Sequence, residues 1–275
     1  MKKITIYISS ILLSIFIISS CQEDTIIESG TSSSTQHLIA ENAFNDVVRI
    51  VEDAFIDNGT SKFDCPEYIL KNADSSDMDT MEIIFEQGNA DCLTYGKLRR
   101  GKIIITFTGK YRDSLSVITT TFDQYYVNNK WIQGTMVVTN NGVNESGNMT
   151  FSIEVKNAKI IESGGKTINW ESMRNKEWIS GYNTFVNHDD DKYLISGSSS
   201  GNNTSGQEFE VNITKDLLVD LSCLEDHSNS CVITSGEAEL IPNGFSTRII
   251  NYGDSICDCN YSVTLNGTEY FLVVD

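Results

Sequence analysis

The chain has 275 residues, with 38 Asp and Glu against 20 Lys and Arg, a formal charge of −18. Hydrophobic residues make up 40%, too many for a mainly disordered chain, and the length suits one large domain or two small ones. The acidic balance argues against a nucleic-acid partner, since phosphate-backbone binding needs clustered Lys and Arg.

Lys2 and Lys3 precede an apolar core from Ile4 to Ile18, and the small residues Ser19 and Ser20 follow. This is the pattern of a secretory signal over residues 1–20. The stretch is short for crossing roughly 30 Å of hydrocarbon, which argues against a spanning helix. Ile18-Ser19-Ser20-Cys21 resembles the bacterial lipobox, in which the cysteine is lipidated and becomes the new N-terminus. Cleavage before Cys21 removes Lys2 and Lys3 and takes the formal charge to −20. The expected membrane partner is therefore the lipid on Cys21. Gln22 stands where an Asp retains lipoproteins at the inner membrane, so the outer membrane is expected. Cys21-Gln22-Glu23-Asp24 resembles the acidic surface-export signal of Bacteroidetes lipoproteins; an ordinary acidic tether is the alternative.

Residues 21–36 are rich in Ser and Thr without periodicity and are expected to form a flexible tether. Ala43, Phe44, Val47, Val48, Val51, Ala54 and Phe55 then recur at helical spacing, with acidic and amide residues on the other face. One amphipathic helix over about 36–57 follows, with Gly59 as its C-cap. The body is expected over 37–275, with a possible sub-boundary near 216–222.

After residue 80 the pattern is that of strands. Met149, Phe151, Ile153 and Val155 alternate with polar residues, as do Phe209, Val211 and Ile213, and then Tyr261, Val263 and Leu265. Period two means one buried and one wet face, the mark of antiparallel sheets. Turns are expected at Asn128-Asn129, Asn157-Ala158, Gly164-Gly165, Pro242-Asn243-Gly244 and Asn266-Gly267. Trp131-Ile132-Gln133-Gly134, Trp178-Ile179-Ser180-Gly181 and Leu194-Ile195-Ser196-Gly197 share a pattern whose Gly marks bulges or close backbone approaches. The fold class is mainly β: a curved antiparallel β-meander with one N-terminal amphipathic helix.

Besides Cys21 there are six cysteines: Cys65, Cys92, Cys223, Cys231, Cys257 and Cys259. An even number beyond the inner membrane favours disulfides. Cys65 and Cys92 stand apart and are expected to pair. A bridge between Cys257 and Cys259 would strain the geometry, which leaves two crossed pairings between Cys223 and Cys231 on one side and Cys257 and Cys259 on the other. The spacings do not match the usual zinc pattern.

No Gly-x-Ser-x-Gly elbow, phosphate-binding loop or His-Glu-x-x-His occurs, and the histidines are only His37, His188 and His227. No cofactor and no enzymatic activity are expected. Asn187-His188-Asp189-Asp190-Asp191 is the densest set of oxygen ligands. Asp189, Asp190 and Asp191 are weak calcium candidates, because the run lacks the alternating spacing of a calcium loop, and a solvated acidic loop is the plainer reading. Tyr125, Tyr126, Trp131, Trp170 and Trp178 lie on strands and would either pack or stack on sugar rings. Asp24-Thr25-Ile26, Asp79-Thr80-Met81, Asp113-Ser114-Leu115 and Asp254-Ser255-Ile256 resemble the O-glycosylation sequon of exported Bacteroidetes proteins, with Thr25 the best placed.

Leu98-Arg99-Arg100-Gly101-Lys102-Ile103-Ile104-Ile105, Phe122-Asp123-Gln124-Tyr125-Tyr126-Val127-Asn128, Ile132-Gln133-Gly134-Thr135, Ile168-Asn169-Trp170, Arg174 to Gly181 and Tyr193 to Gly197 carry a further likeness. Over most of residues 80–275 the chain resembles a group of uncharacterised Bacteroidetes outer-membrane lipoproteins. That resemblance implies no known activity and no catalytic residues. The expected role is a surface or periplasm-facing outer-membrane lipoprotein, a non-enzymatic binding or structural module with a glycan or surface-protein partner. The alternative is a carbohydrate-binding accessory or weak glycan hydrolase, which would need paired carboxylates about 5–10 Å apart.

Overall fold

A computed structural model describes residues 30–56, 65–71, 78–87, 90–184, 190–224, 232–258 and 260–272. The described elements are one helix and fifteen strands. Helix α1 spans Ser32–Ile56. Four short strands follow: β1 (Glu67–Leu70), β2 (Asp79–Ile84), β3 (Glu86–Gln87) and β4 (Ala90–Thr94). Seven long ones come next: β5 (Lys97–Phe107), β6 (Val117–Val127), β7 (Lys130–Val143), β8 (Met149–Ile161), β9 (Thr167–Ser180), β10 (Lys192–Asn202) and β11 (Glu208–Asp220). After a 3₁₀ turn at Leu221–Leu224 come β12 (Ile233–Pro242), β13 (Arg248–Asp254), β14 (Tyr261–Leu265) and β15 (Thr268–Leu272).

The strands form an antiparallel meander. From β5 to β15 each pairs with the next in sequence. On the other side of β5, β2 pairs with its C-terminal part and β4 with its N-terminal part, while β1 pairs with β2 and β3 with β4. The path ends at β1 and at β15, which do not pair among the described residues, so the sheet is open. It continues through 216–222, where β11 pairs with β12.

Curvature follows from what α1 touches. On the helix, Asp46 bonds to Arg99 of β5, and His37 lies 3.2 Å from the Tyr252 hydroxyl of β13. Eight strand spacings separate β5 from β13, roughly 38 Å if the sheet were flat. A helix about 10 Å across meets both only because the sheet wraps round it. One apolar core fills the interior, joining Leu38, Phe44, Val47 and Val51 of the helix to Ile103, Ile153, Val211 and Val263 of the sheet. Phe44 stacks on Trp170 at 5.5 Å between ring centres and meets Phe122 edge-on.

The alternation reads through into burial. Met149, Phe151, Ile153 and Val155 are buried, with half-exposed residues between them. Asn128-Asn129 and Asn266-Gly267 carry the positive φ pairs of two-residue hairpin turns. Gly165 and Gly244 also turn where expected. Asn157-Ala158 does not. Asn157, at φ 53°, lies inside β8, where the register with β9 slips between Val155 and Ala158. It is a bulge, and the asparagine supplies the left-handed residue that a bulge needs as readily as a turn would. Gly134 and Gly197 sit at register shifts of β7 and β10 with φ of 129° and 122°. A Cβ on Gly197 would lie 2.2 Å from the Met173 carbonyl oxygen, so this repeat marks close backbone approach.

The helix begins at Ser32, inside the stretch expected to be tether. Tertiary contacts recruit that first turn: Asn203 donates to the Ser33 hydroxyl at 3.0 Å, and Gln36 bonds Thr204 through both ends of its amide. The polar face of α1 is not solvated. Glu41, Asp46, Arg49 and Glu52 are all buried. Gly59, the expected C-cap, lies outside the described residues.

Candidate functional site

Charged side chains of α1 meet charged side chains of the concave sheet face in a buried seam. β9 presents Trp170, Arg174, Lys176 and Trp178 inward at alternate positions, all at most 3% exposed. Arg174 donates through Nε and Nη2 to the Glu41 carboxylate at 3.2 and 2.5 Å. Lys176 donates to Glu52 and stands 3.6 Å over the Tyr193 ring. Burial alone would raise the Glu41 carboxyl, but the adjacent Arg174 and His37 outweigh it and hold it below its ordinary value. Burial lowers the Lys176 ammonium, with Glu52 opposing.

The densest cluster surrounds Asp46. Arg99 grips its carboxylate from two directions, at 2.6 and 3.0 Å, and Arg49 adds a contact at 2.7 Å. Lys97 stands 3.8 Å away. Arg99 also donates to the Tyr125 hydroxyl at 3.0 Å, and Arg49 lies 3.8 Å over the Tyr95 ring. Burial opposes ionisation of Asp46, but Lys97, Arg99 and Arg49 together hold it well below the carboxylate range. A cavity of about 70 Å³ opens beside this cluster, lined by the charged Asp46, Arg49, Glu52, Lys97, Lys130 and Lys176 and by apolar residues such as Ile39 and Ile132.

His37 is wholly buried. The Trp170 indole N–H can only donate, and it points at His37 Nδ1 from 3.3 Å. Nδ1 must therefore accept, which puts the proton on Nε2, facing the Tyr252 hydroxyl. Burial, with Arg174 adding to it and Glu41 opposing, lowers the His37 pKa to about 4. The unfolded chain protonates near pH 6.5, so the neutral folded ring contributes its full stability above that value. That contribution drains away as pH falls from 6.5 towards about 4, roughly 3 kcal/mol in all. The melting temperature is expected to drop between pH 7 and 4.5, and His37→Gln should flatten the drop. Parallel curves for the two proteins would show that another group sets the slope.

The expected site residues fall as follows. Cys65 and Cys92 form a disulfide with 5.7 Å between Cα atoms, and Cys223 pairs with Cys257 at 5.3 Å. Cys21, Thr25, His188, Asp189, His227, Cys231 and Cys259 lie outside the described residues. Asp190 accepts from the Thr184 hydroxyl. Asp191 is not part of a solvated loop: it is buried and accepts from Trp178 Nε1 at 3.2 Å and the Tyr193 hydroxyl at 3.0 Å. Among the described residues no group of three acidic, His or Cys side chains is set to hold a metal. Thr80 is inside β2, while Ser114 and Ser255 are exposed.

The aromatics divide. Tyr125, Trp170 and Trp178 are core. Tyr126 and Trp131 face outward as a cross-strand pair, stacked at 5.8 Å, with Arg100 4.0 Å over the Tyr126 ring. A shallow polar trough crosses the outer face of β8 to β11. Its floor includes Ser198 and Ser200. Glu171 of β9 and Glu210 of β11 both pair in register with Ser200, so their Cα atoms stand roughly 10 Å apart across it. The buried ion-pair seam had one sequence signal, charged residues at inward strand positions such as Arg174 and Lys176. Comparison with family models, with curated proteins and with solved structures gives no match.

Proposed function

We propose that the protein is a lipid-anchored outer-membrane module that binds or scaffolds without chemical turnover, displayed at the cell surface or facing the periplasm. The observation that carries this reading is the Ile18-Ser19-Ser20-Cys21 motif a short way before a helix clamped inside an oxidised, disulfide-bridged sheet. Disulfides persist in compartments outside the cytosol. The carboxylates of the seam are engaged by Arg and Lys partners, which favours a structural or binding role over proton transfer.

Metabolic labelling with palmitate and intact mass test the anchor. Wild type is expected to be cleaved before Cys21 and acylated there, and Cys21→Ala to lose label and leave the membrane fraction. An unmodified, uncleaved wild-type chain would refute the reading. A carbohydrate-binding accessory is the second reading, favoured by the Glu171–Glu210 arrangement across Ser200 and by the outward Tyr126–Trp131 pair. Retardation by polysaccharide in native gels, abolished by Trp131→Ala, would support it; unchanged mobility with every polysaccharide offered would remove it.

A further inference from the structure

The Asp46 cluster holds more positive charge than its carboxylate offsets. Asp46 already accepts three hydrogen bonds, two from Arg99 and one from Arg49. Lys97 is left 3.8 Å away, outside hydrogen-bond range, with its side chain only 13% exposed. The Nε–H groups of Arg49 and Arg99 are buried and find no acceptor among the described residues. A buried cation without a matching anion costs far more than one that is paired. Here the excess gathers in one place, in a chain whose overall formal charge is −18.

The cavity beside the cluster is both the opening and the size limit. Its charged wall holds four cations, Arg49, Lys97, Lys130 and Lys176, against two carboxylates, Asp46 and Glu52, and Ile39, Ala43 and Ile132 supply apolar wall. Its volume is about 70 Å³, room for a few waters or for an anion of a few heavy atoms. An inorganic oxyanion would leave the apolar wall without a partner, whereas a carboxylate with a short aliphatic chain uses both sides.

We propose that this cavity binds a short-chain aliphatic carboxylate, its oxygens on Lys97 and Arg49 and its chain against Ile39, Ala43 and Ile132. The assignment rests on the reading of the protein as a binding module but not on its anchorage, so a failure here leaves the palmitate experiment untouched. Propionate, phosphate and chloride, compared at equal ionic strength on the full mature chain in non-ionic detergent, form the test. Ten millimolar propionate is expected to raise the melting temperature by about 3 °C, as a millimolar dissociation constant would. Lys97→Gln removes a cation with no hydrogen-bonded partner, should fold, and should lose that shift. Thermal shifts with chloride equal to those with propionate would overturn the proposal, as would a larger shift with phosphate. No shift with propionate, or a shift that survives Lys97→Gln, would overturn it equally.

Discussion

Asp46→Ala is expected to destabilise the protein by about 3–5 kcal/mol, the cost of stripping the partner from a buried charge. The change leaves Arg99, fully buried, and Arg49, nearly so, facing each other and Lys97 without a carboxylate. Their mutual repulsion in a low-dielectric interior adds to the lost hydrogen bonds. For a domain of this size the melting temperature should fall by roughly 10 °C. The double change Asp46→Leu with Arg99→Met should recover much of the loss, because apolar residues of similar volume can replace a buried pair. Thermal unfolding of the two variants beside wild type checks both statements. A single variant within about 1 kcal/mol of wild type would mean that water reaches the cluster in solution.

Removing the Cys223–Cys257 bridge should cost about 4 kcal/mol. The two residues are 34 apart in sequence, and a closed loop of that length removes about that much chain entropy from the unfolded state. The bridge ties the 3₁₀ turn after β11 to the segment after β13, so its loss should be felt most in β12 to β15. Cys223→Ala with Cys257→Ala, followed by hydrogen exchange, should show protection falling there and holding in β5 to β9. Uniform loss of protection would show that the sheet opens as one unit. A non-reducing peptide map should recover Cys65–Cys92 and Cys223–Cys257, and with those four engaged it should join Cys231 to Cys259. Finding Cys223 joined to Cys259 instead would contradict the structure.

The alternation in β8 and β14 made the sheet readable, since burial with period two needs only neighbours in sequence. β9 was harder. Its inward positions run Ile168, Trp170, Ser172, Arg174, Lys176 and Trp178, so the apolar pattern breaks where the ion pairs form. Those partners, Glu41 and Glu52, lie 133 and 124 residues away, and no local pattern links them. In β6 the register with β7 slips beyond Thr121 and Gln124 adopts φ 48°, which is why Tyr125 is core while its neighbour Tyr126 faces out. The seam came from a helix read as amphipathic: its charged face looked wet because the wall that covers it is made of strands far along the chain.

The meeting of the first element with late ones orders the events of folding. His37 is completed by Trp170 and by Tyr252, 133 and 215 residues further on. A helix in a protein draws most of its stability from the tertiary packing of its buried face, and closing such long loops is slow. Until β9 is in place, Glu41 lacks Arg174 and Phe44 lacks the Trp170 ring it stacks on. The helix that precedes every described strand is therefore among the last elements to be finished. A chain halted before β13 would carry α1 without the Tyr252 that closes over His37.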